Sequence, residues 1–335
     1  MSKARIALMV ALLLFAVSTE LDQERDPYPK LPTPAYEFAS GTSGRWCDAG
    51  DSAWMRGTEA FLVGPHFAAS VKCRFVGESV PAVVSGQALA LEDEPPAAMG
   101  NEFVLTQFAV ATFEPPDDAA EPIDVLVRVG EREFPLDEVP GEGDWIAVVA
   151  PLDEQAALWI EEDGRAQGLD LRTGDRIDDA AAYYEGIPRW TGQQLAPLEY
   201  EVDIDYGPYG WWISCESGPV RVFRDPWIDG LGWAPEGSVF LRVTFGWCKR
   251  WEDAGLTWEL DPDRAVEVEG AEKPVSWEAT ENTWDGVDVV AVYAIPEDAS
   301  GADIGITPHG ELTDEHGDPV EILDELETTE MRAEF

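Results

Sequence analysis

The chain has 335 residues but only three histidines, His66, His309 and His316. Nucleophilic hydrolysis of the Ser-His-Asp kind needs a histidine within hydrogen-bond reach of a nucleophile and of an orienting acid. No Gly-x-Ser-x-Gly turn is present, and Gly41-Thr42-Ser43-Gly44 has the wrong spacing. His66 stands between Pro65 and Phe67, a setting that suits a structural histidine. His309 and His316 flank Thr313, Asp314 and Glu315. Asp314, His316, Gly317 and Asp318 loosely resemble an oxygen-rich turn, as do Asp48 and Asp51, so calcium is the one metal worth naming, although the EF-hand spacing is missing. Zinc is disfavoured because no Cys-x-x-Cys pair exists and the histidines lie far from the cysteines. Catalytic residues and cofactors are therefore not assigned. With 67 acidic residues, carboxylates will adjoin by chance, so a glycosidase-like acid pair stands only as an alternative.

Tryptophan is the residue type in excess. Nine of the 14 fall between Trp211 and Trp284. Trp211, Trp212, Trp227, Trp233 and Trp251 form the candidate binding surface, because tryptophan is enriched at interaction hot spots and stacks on sugar rings. The competing use is core packing on a disulfide, as in immunoglobulin domains. Trp211 and Trp212 are adjacent, so on a strand they point to opposite sides, and one of them is expected to enter the core.

The elements that must position these residues read as strands. Residues 198–206 alternate strictly, with Leu198, Tyr200, Val202, Ile204 and Tyr206 on one face and Glu199, Glu201, Asp203 and Asp205 on the other. Residues 103–113, 145–149 and 239–245 are apolar runs, and 124–129 and 132–136 form a hairpin about Gly130. Only 178–184 looks locally helical. An internal repeat relates FVLTQFAVATF, DVLVRVGEREF and the stretch from GDWIAVVAP onward to VFLRVTFGW, LTWELDPDRAVEV and the stretch from WDGVDVVAVYAIP onward, with Pro151 matching Pro296 and Gly164 matching Gly310. A repeat of this period means tandem domains rather than a solenoid.

This order of strand, hairpin, strand, proline, acidic turn and strand resembles the telokin-like immunoglobulin sandwich of small exported proteins of Gram-positive and mycobacterial type. The resemblance implies a non-enzymatic extracellular or cell-wall role, and it carries no site residues across. The expected fold is all-β, with two tandem immunoglobulin-like β-sandwich domains at 46–180 and 198–315. Around them stand a signal peptide or anchor at 1–19, a Pro-rich spacer at 20–45, a linker at 181–197 and an acidic tail at 316–335.

Location follows from the N-terminus and the cysteines. Lys3 and Arg5 precede an apolar run from Ile6 to Val17, which is short for a membrane span and suits a signal-peptide core. Cleavage after Ser18 and retention as an anchor both stay open, and both put the body of the chain outside the cytoplasm. Four cysteines in an exported chain suggest disulfides, and their clustering favours Cys47 with Cys73 and Cys215 with Cys248. The net charge of −45 repels nucleic-acid phosphates and anionic lipid, and suits either a solvated coat or a basic partner. Membrane contact is expected only through the N-terminal segment, if uncleaved. The resulting expectation is a non-catalytic extracytoplasmic protein that binds a protein or cell-wall partner. Carbohydrate binding through exposed tryptophan and carboxylate-dependent hydrolysis are the alternatives.

Overall fold

The computed structural model describes residues 32–42, 47, 60–80, 96–110, 123–187, 192–207, 210–251, 254–281 and 286–335. The signal or anchor segment 1–19, the first part of the Pro-rich stretch, Asp48 and Asp51 lie outside them. The described chain is all-β. Over 178–184, where a short helix is expected, there is a single 3-10 turn, Ala181–Tyr183.

Among the described residues, ten strands precede that turn. They are β1 (Phe38–Thr42), β2 (Phe61–Val63), β3 (Ala68–Gly77), β4 (Asn101–Ala109) and β5 (Asp124–Val129), then β6 (Arg132–Leu136), β7 (Asp144–Pro151), β8 (Ala156–Glu162), β9 (Arg165–Asp170) and β10 (Arg176–Ile177). They make two five-stranded antiparallel sheets, β1-β7-β4-β3-β2 and β10-β9-β8-β5-β6. Strand β7 turns Ile146, Val148 and Ala150 to one side and Trp145, Ala147 and Val149 to the other, and all six are buried. The first set joins Val125, Val127, Leu158 and Ile160 of the second sheet in one cluster. The other set packs with Phe103, Leu105 and Cys73 on the opposite face. A strand buried on both faces reads as an unbroken apolar run, which is why β4 and β7 lack alternation. Each fully buried valine, leucine, isoleucine or phenylalanine among them stabilises the fold by roughly 1.5–3 kcal/mol relative to exposure.

The stretch read as spacer ends inside this first sheet. Strand β1 pairs with β7 residue by residue, from Phe38 opposite Val148 to Thr42 opposite Asp144. Its sequence, FASGT, has too few bulky residues to announce a strand.

Among the described residues, fourteen strands follow. The first seven are β11 (Gln193–Asp205), β12 (Trp211–Asp225), β13 (Trp227–Ile228), β14 (Gly232–Trp233), β15 (Ser238–Trp247), β16 (Arg250–Trp251) and β17 (Leu256–Leu260). The rest are β18 (Val266–Val268), β19 (Ser276–Glu281), β20 (Val287–Pro296), β21 (Gly301–Ile306), β22 (Gly310–Thr313), β23 (Glu321–Ile322) and β24 (Thr329–Glu334). A six-stranded sheet runs in the order β19-β20-β15-β12-β11-β23. Two three-stranded sheets, β16-β17-β22 and β18-β21-β24, share one core cluster with it. That cluster joins Val202, Val222, Val243 and Ala291 of the large sheet to Trp258, Ile304 and Met331 of the smaller ones. Residues 193–197, read as linker, already belong to β11. The stretch read as an acidic tail supplies β23 and β24, and Met331 and Ala333 enter the core between exposed Glu330, Arg332 and Glu334.

Two disulfides staple the chain. Cys47 and Cys73 have Cα atoms 5.9 Å apart, and Cys215 and Cys248 have theirs 5.6 Å apart. The second bridge ties the inward face of β12 to the residue after β15 and sits in the core beside Trp247 and Trp258. Loops of 26 and 33 residues correspond to roughly 3–4 kcal/mol each in the loop-entropy model.

Candidate binding surface

The alternation of β11 decides what its sheet shows to solvent. Leu198, Tyr200, Val202 and Ile204 are buried, while Glu199, Glu201, Asp203 and Asp205 are exposed. Strand β12 pairs with β11 so that Asp203 faces Trp212 and Ile204 faces Trp211. Trp212 therefore shares the carboxylate face, with 61% of its surface exposed. Trp211 has the inward parity, yet it is 46% exposed. The reason is local: β12 pairs with β15 only over Arg221–Asp225, so among the described strands the first residues of β12 have β11 alone as ladder neighbour. Trp211 rests edge-on against Tyr206, ring centroids 6.1 Å apart. Tyr206 in turn donates to the Ala254 carbonyl at 3.2 Å. Neither tryptophan of the pair enters the core, contrary to the expectation that one would.

Carboxylates crowd the same face. Glu199 stands directly opposite Glu216, and Asp205 directly opposite Glu321. Like charges in directly opposed positions destabilise a sheet. The surface around Trp212 is thus both apolar and strongly anionic, and a cationic group approaching it would relieve the repulsion.

The remaining three candidate tryptophans do other work. The indole N–H of Trp251 donates to the Ser214 carbonyl at 3.1 Å, and its ring lies 6.3 Å from that of Trp258, so it fastens β16 to β12 beside the Cys215–Cys248 bridge. Trp227 and Trp233 are cross-strand partners in the small β13–β14 hairpin. The hairpin is rooted on the outer face of the six-stranded sheet, where Ile228 and Ala234 pack with Phe240 and Val292. Its two tryptophans, the strand pair farthest from the hairpin's own turn, reach the β8–β9 turn. That turn is Asp163-Gly164, with φ of 51° and 76°, the left-handed pair that suits a two-residue hairpin connection. Trp227 Nε1 donates to Asp163 Oδ2 at 3.1 Å, and Trp233 Nε1 donates to the Glu162 carbonyl at 2.9 Å. The Arg165 guanidinium lies 4.9 Å from the Trp233 ring centre, and the His66 ring meets Trp227 edge-on at 5.0 Å.

His66 and Glu162 form the polar centre of this junction. The backbone N–H of His66 donates to Glu162 Oε2 at 3.2 Å, and His66 Nδ1 lies 2.5 Å from Oε1. The pair is separated by 96 residues in sequence, so nothing local announces it. Among the described residues the buried carboxylates are Glu162 and Asp225, and each faces a basic group. Asp225 is 3.0 Å from Arg242, whose guanidinium also covers the Phe223 ring. A cleft of about 200 Å³ is lined by Asp137, Glu138, Asp144 and Trp145, among others. There Asp144 already accepts from Thr42 Oγ1 and from the Gly141 N–H.

The Asp314 turn closes on itself. Its Oδ1 accepts from the backbone N–H groups of His316 (2.8 Å) and Asp318 (2.9 Å), which hold the carboxyl below the usual carboxylate range. Among the described residues, no group of three or more His, Cys, Asp or Glu side chains is placed to hold a metal ion.

Comparison with known proteins finds no family model, no curated protein and no solved structure that matches this chain.

Proposed function

We propose that the chain is a non-catalytic extracytoplasmic binding protein, built as two immunoglobulin-like β-sandwiches in tandem. Its partner is a protein or cell-wall component carrying basic groups, and it docks on the Trp211–Trp212 corner of the β11–β12 pair. The observation that carries this reading is the pair of neighbouring, exposed tryptophans beside the strip of exposed carboxylates on β11. Large aromatic side chains supply most of the energy of protein interfaces, and complementary charge sets their encounter rate and partner choice. The two disulfides suit an oxidising compartment. Among the described residues each buried carboxylate is matched to a basic side chain, which favours binding over acid–base hydrolysis.

The Trp212 face also favours a second reading, in which the ring stacks on a sugar and the carboxylates accept its hydroxyls. Binding assays separate the two. A basic protein partner gives affinity that falls steeply with salt, whereas retention on insoluble glycan or cell-wall material that persists in high salt supports the sugar. If Trp212→Ala leaves both kinds of binding unchanged, the surface is wrongly placed.

A further inference from the structure

The opposite edge of the six-stranded sheet carries a feature that the Trp211–Trp212 surface does not use. Strand β19 is the terminal strand there and pairs only with β20 among the described strands. Its residues Trp277 and Ala279 lie opposite Ala291 and Val289, which belong to the buried core, so both have inward parity. Ala279 is nevertheless exposed, which means that the space between this edge and β17 is open. That space is a cleft of about 200 Å³ whose walls include Trp247, Trp258, Trp277 and Val289. The Lys249–Glu259 ion pair, at 3.0 Å, also borders it. An apolar cavity of about 150 Å³ accommodates benzene, so this cleft has room for one ring-sized side chain. Trp258 is 1% exposed, and its indole N–H meets no acceptor among the described residues.

A free strand edge and a cleft on its inward side fit one kind of occupant. A segment hydrogen-bonding to β19 would lie about 4.8 Å further out and send alternate side chains into the space beside Trp277 and Ala279. Charge selects among such segments. Strand β19 carries Glu278 and no basic residue, and its last residue, Glu281, is already paired with Arg250, in a chain of net charge −45. A second copy pairing edge to edge would set these carboxylates against their own kind.

We propose that β19 is a docking edge for a basic, extended segment of a partner protein, which adds as a further strand and places one aromatic side chain in the Trp247–Trp258–Trp277 cleft. Three strands, β20, β15 and β12, separate this edge from β11, so the inference does not depend on the Trp211–Trp212 surface.

The test uses the full chain and a synthetic peptide, Lys-Val-Lys-Tyr-Lys-Val-Lys, titrated by calorimetry. Binding is expected to weaken about tenfold when the central tyrosine is replaced by alanine, the equivalent of losing part of one buried ring. It is expected to vanish when the valines carry N-methyl groups, which remove ladder donors. Two substitutions at exposed positions separate cleft from charge. Ala279→Lys puts a cation on the inward side and is expected to cost about tenfold or more, whereas Glu278→Lys makes a larger charge change on the outward side and is expected to cost less. Equal loss in both variants, equal affinity for the tyrosine and alanine peptides, or no binding at millimolar peptide would overturn the proposal. In Trp211→Ala/Trp212→Ala the tenfold preference for the tyrosine over the alanine peptide should persist, which keeps this test independent of the other surface.

Discussion

Removing the Trp233 ring tests whether the β13–β14 hairpin couples the first ten strands to the rest of the chain. Trp233→Ala deletes the indole hydrogen bond to the Glu162 carbonyl, the Arg165 contact at 4.9 Å and the edge contact with Tyr183 at 6.3 Å. The hydrogen bond contributes about 1 kcal/mol net. The cation–π contact adds about 0.5–1 kcal/mol at a partly exposed site. Loss of the half-buried apolar ring adds about 1 kcal/mol. The expected destabilisation is therefore about 2–3 kcal/mol, read as a lowered midpoint in guanidinium unfolding followed by circular dichroism. A double-mutant cycle with Arg165→Ala isolates the ring–guanidinium term, which should be about 0.5–1 kcal/mol. Strictly additive single variants, or a Trp233→Ala midpoint equal to that of the parent, would show that the hairpin merely lies against the β8–β9 turn without binding it.

Other consequences are equally direct. Burial raises the phenol pKa of Tyr184, Tyr200 and Tyr293. The unfolded chain then loses these protons first, so stability is fully present below about pH 10 and falls as pH rises beyond it; alkaline unfolding should coincide with phenolate absorbance, and early, non-cooperative titration of all three phenols would contradict their burial. Replacing Cys215 and Cys248 together by alanine should cost about 2–5 kcal/mol, measured as a drop in melting temperature that reducing agent does not deepen through this bridge. At Gly310, a Cβ would sit 2.0 Å from the Glu259 carbonyl, so Gly310→Ala should force β22 from β17 and cost about 2–3 kcal/mol, and a neutral effect would mean that this register is wrong. Arg74 is buried, its Nε and Nη1 meet no hydrogen-bond partner among the described residues, and burial lowers its pKa. Arg74→Met should therefore be neutral or stabilising in thermal unfolding, and a large loss would show that its attraction to Asp175 and Asp170 outweighs desolvation.

What the sequence made legible follows from solvent exposure. Strand β11 stands out because one face is wet and the other dry, so Glu199, Glu201, Asp203 and Asp205 mark it by alternation. The disulfide pairing could be read from cysteine clustering. Strand β24 was hidden because only Met331 and Ala333 turn inward among charged neighbours, and β1 because FASGT carries few bulky side chains to mark it. Period-2 parity gave opposite faces to Trp211 and Trp212 but could not say that β15 leaves the start of β12 uncovered. Nor could it reveal that Trp227 and Trp233 clasp the β8–β9 turn, since Asp163 and Trp227 are 64 residues apart. Of the five candidate tryptophans, only two therefore remain available as an open surface, with the others committed to contacts within the chain.

Capture from the envelope of the producing cells, comparing the parent chain with Trp211→Ala/Trp212→Ala, tests the binding assignment most directly. Parent and variant should melt alike, because both rings are exposed. The parent should retain a saturable, salt-sensitive partner that carries basic groups, and the variant should lose at least about tenfold in affinity for it. Equal retention by the two chains, in low and in high salt, would contradict the placement of the binding surface on this corner of the sheet.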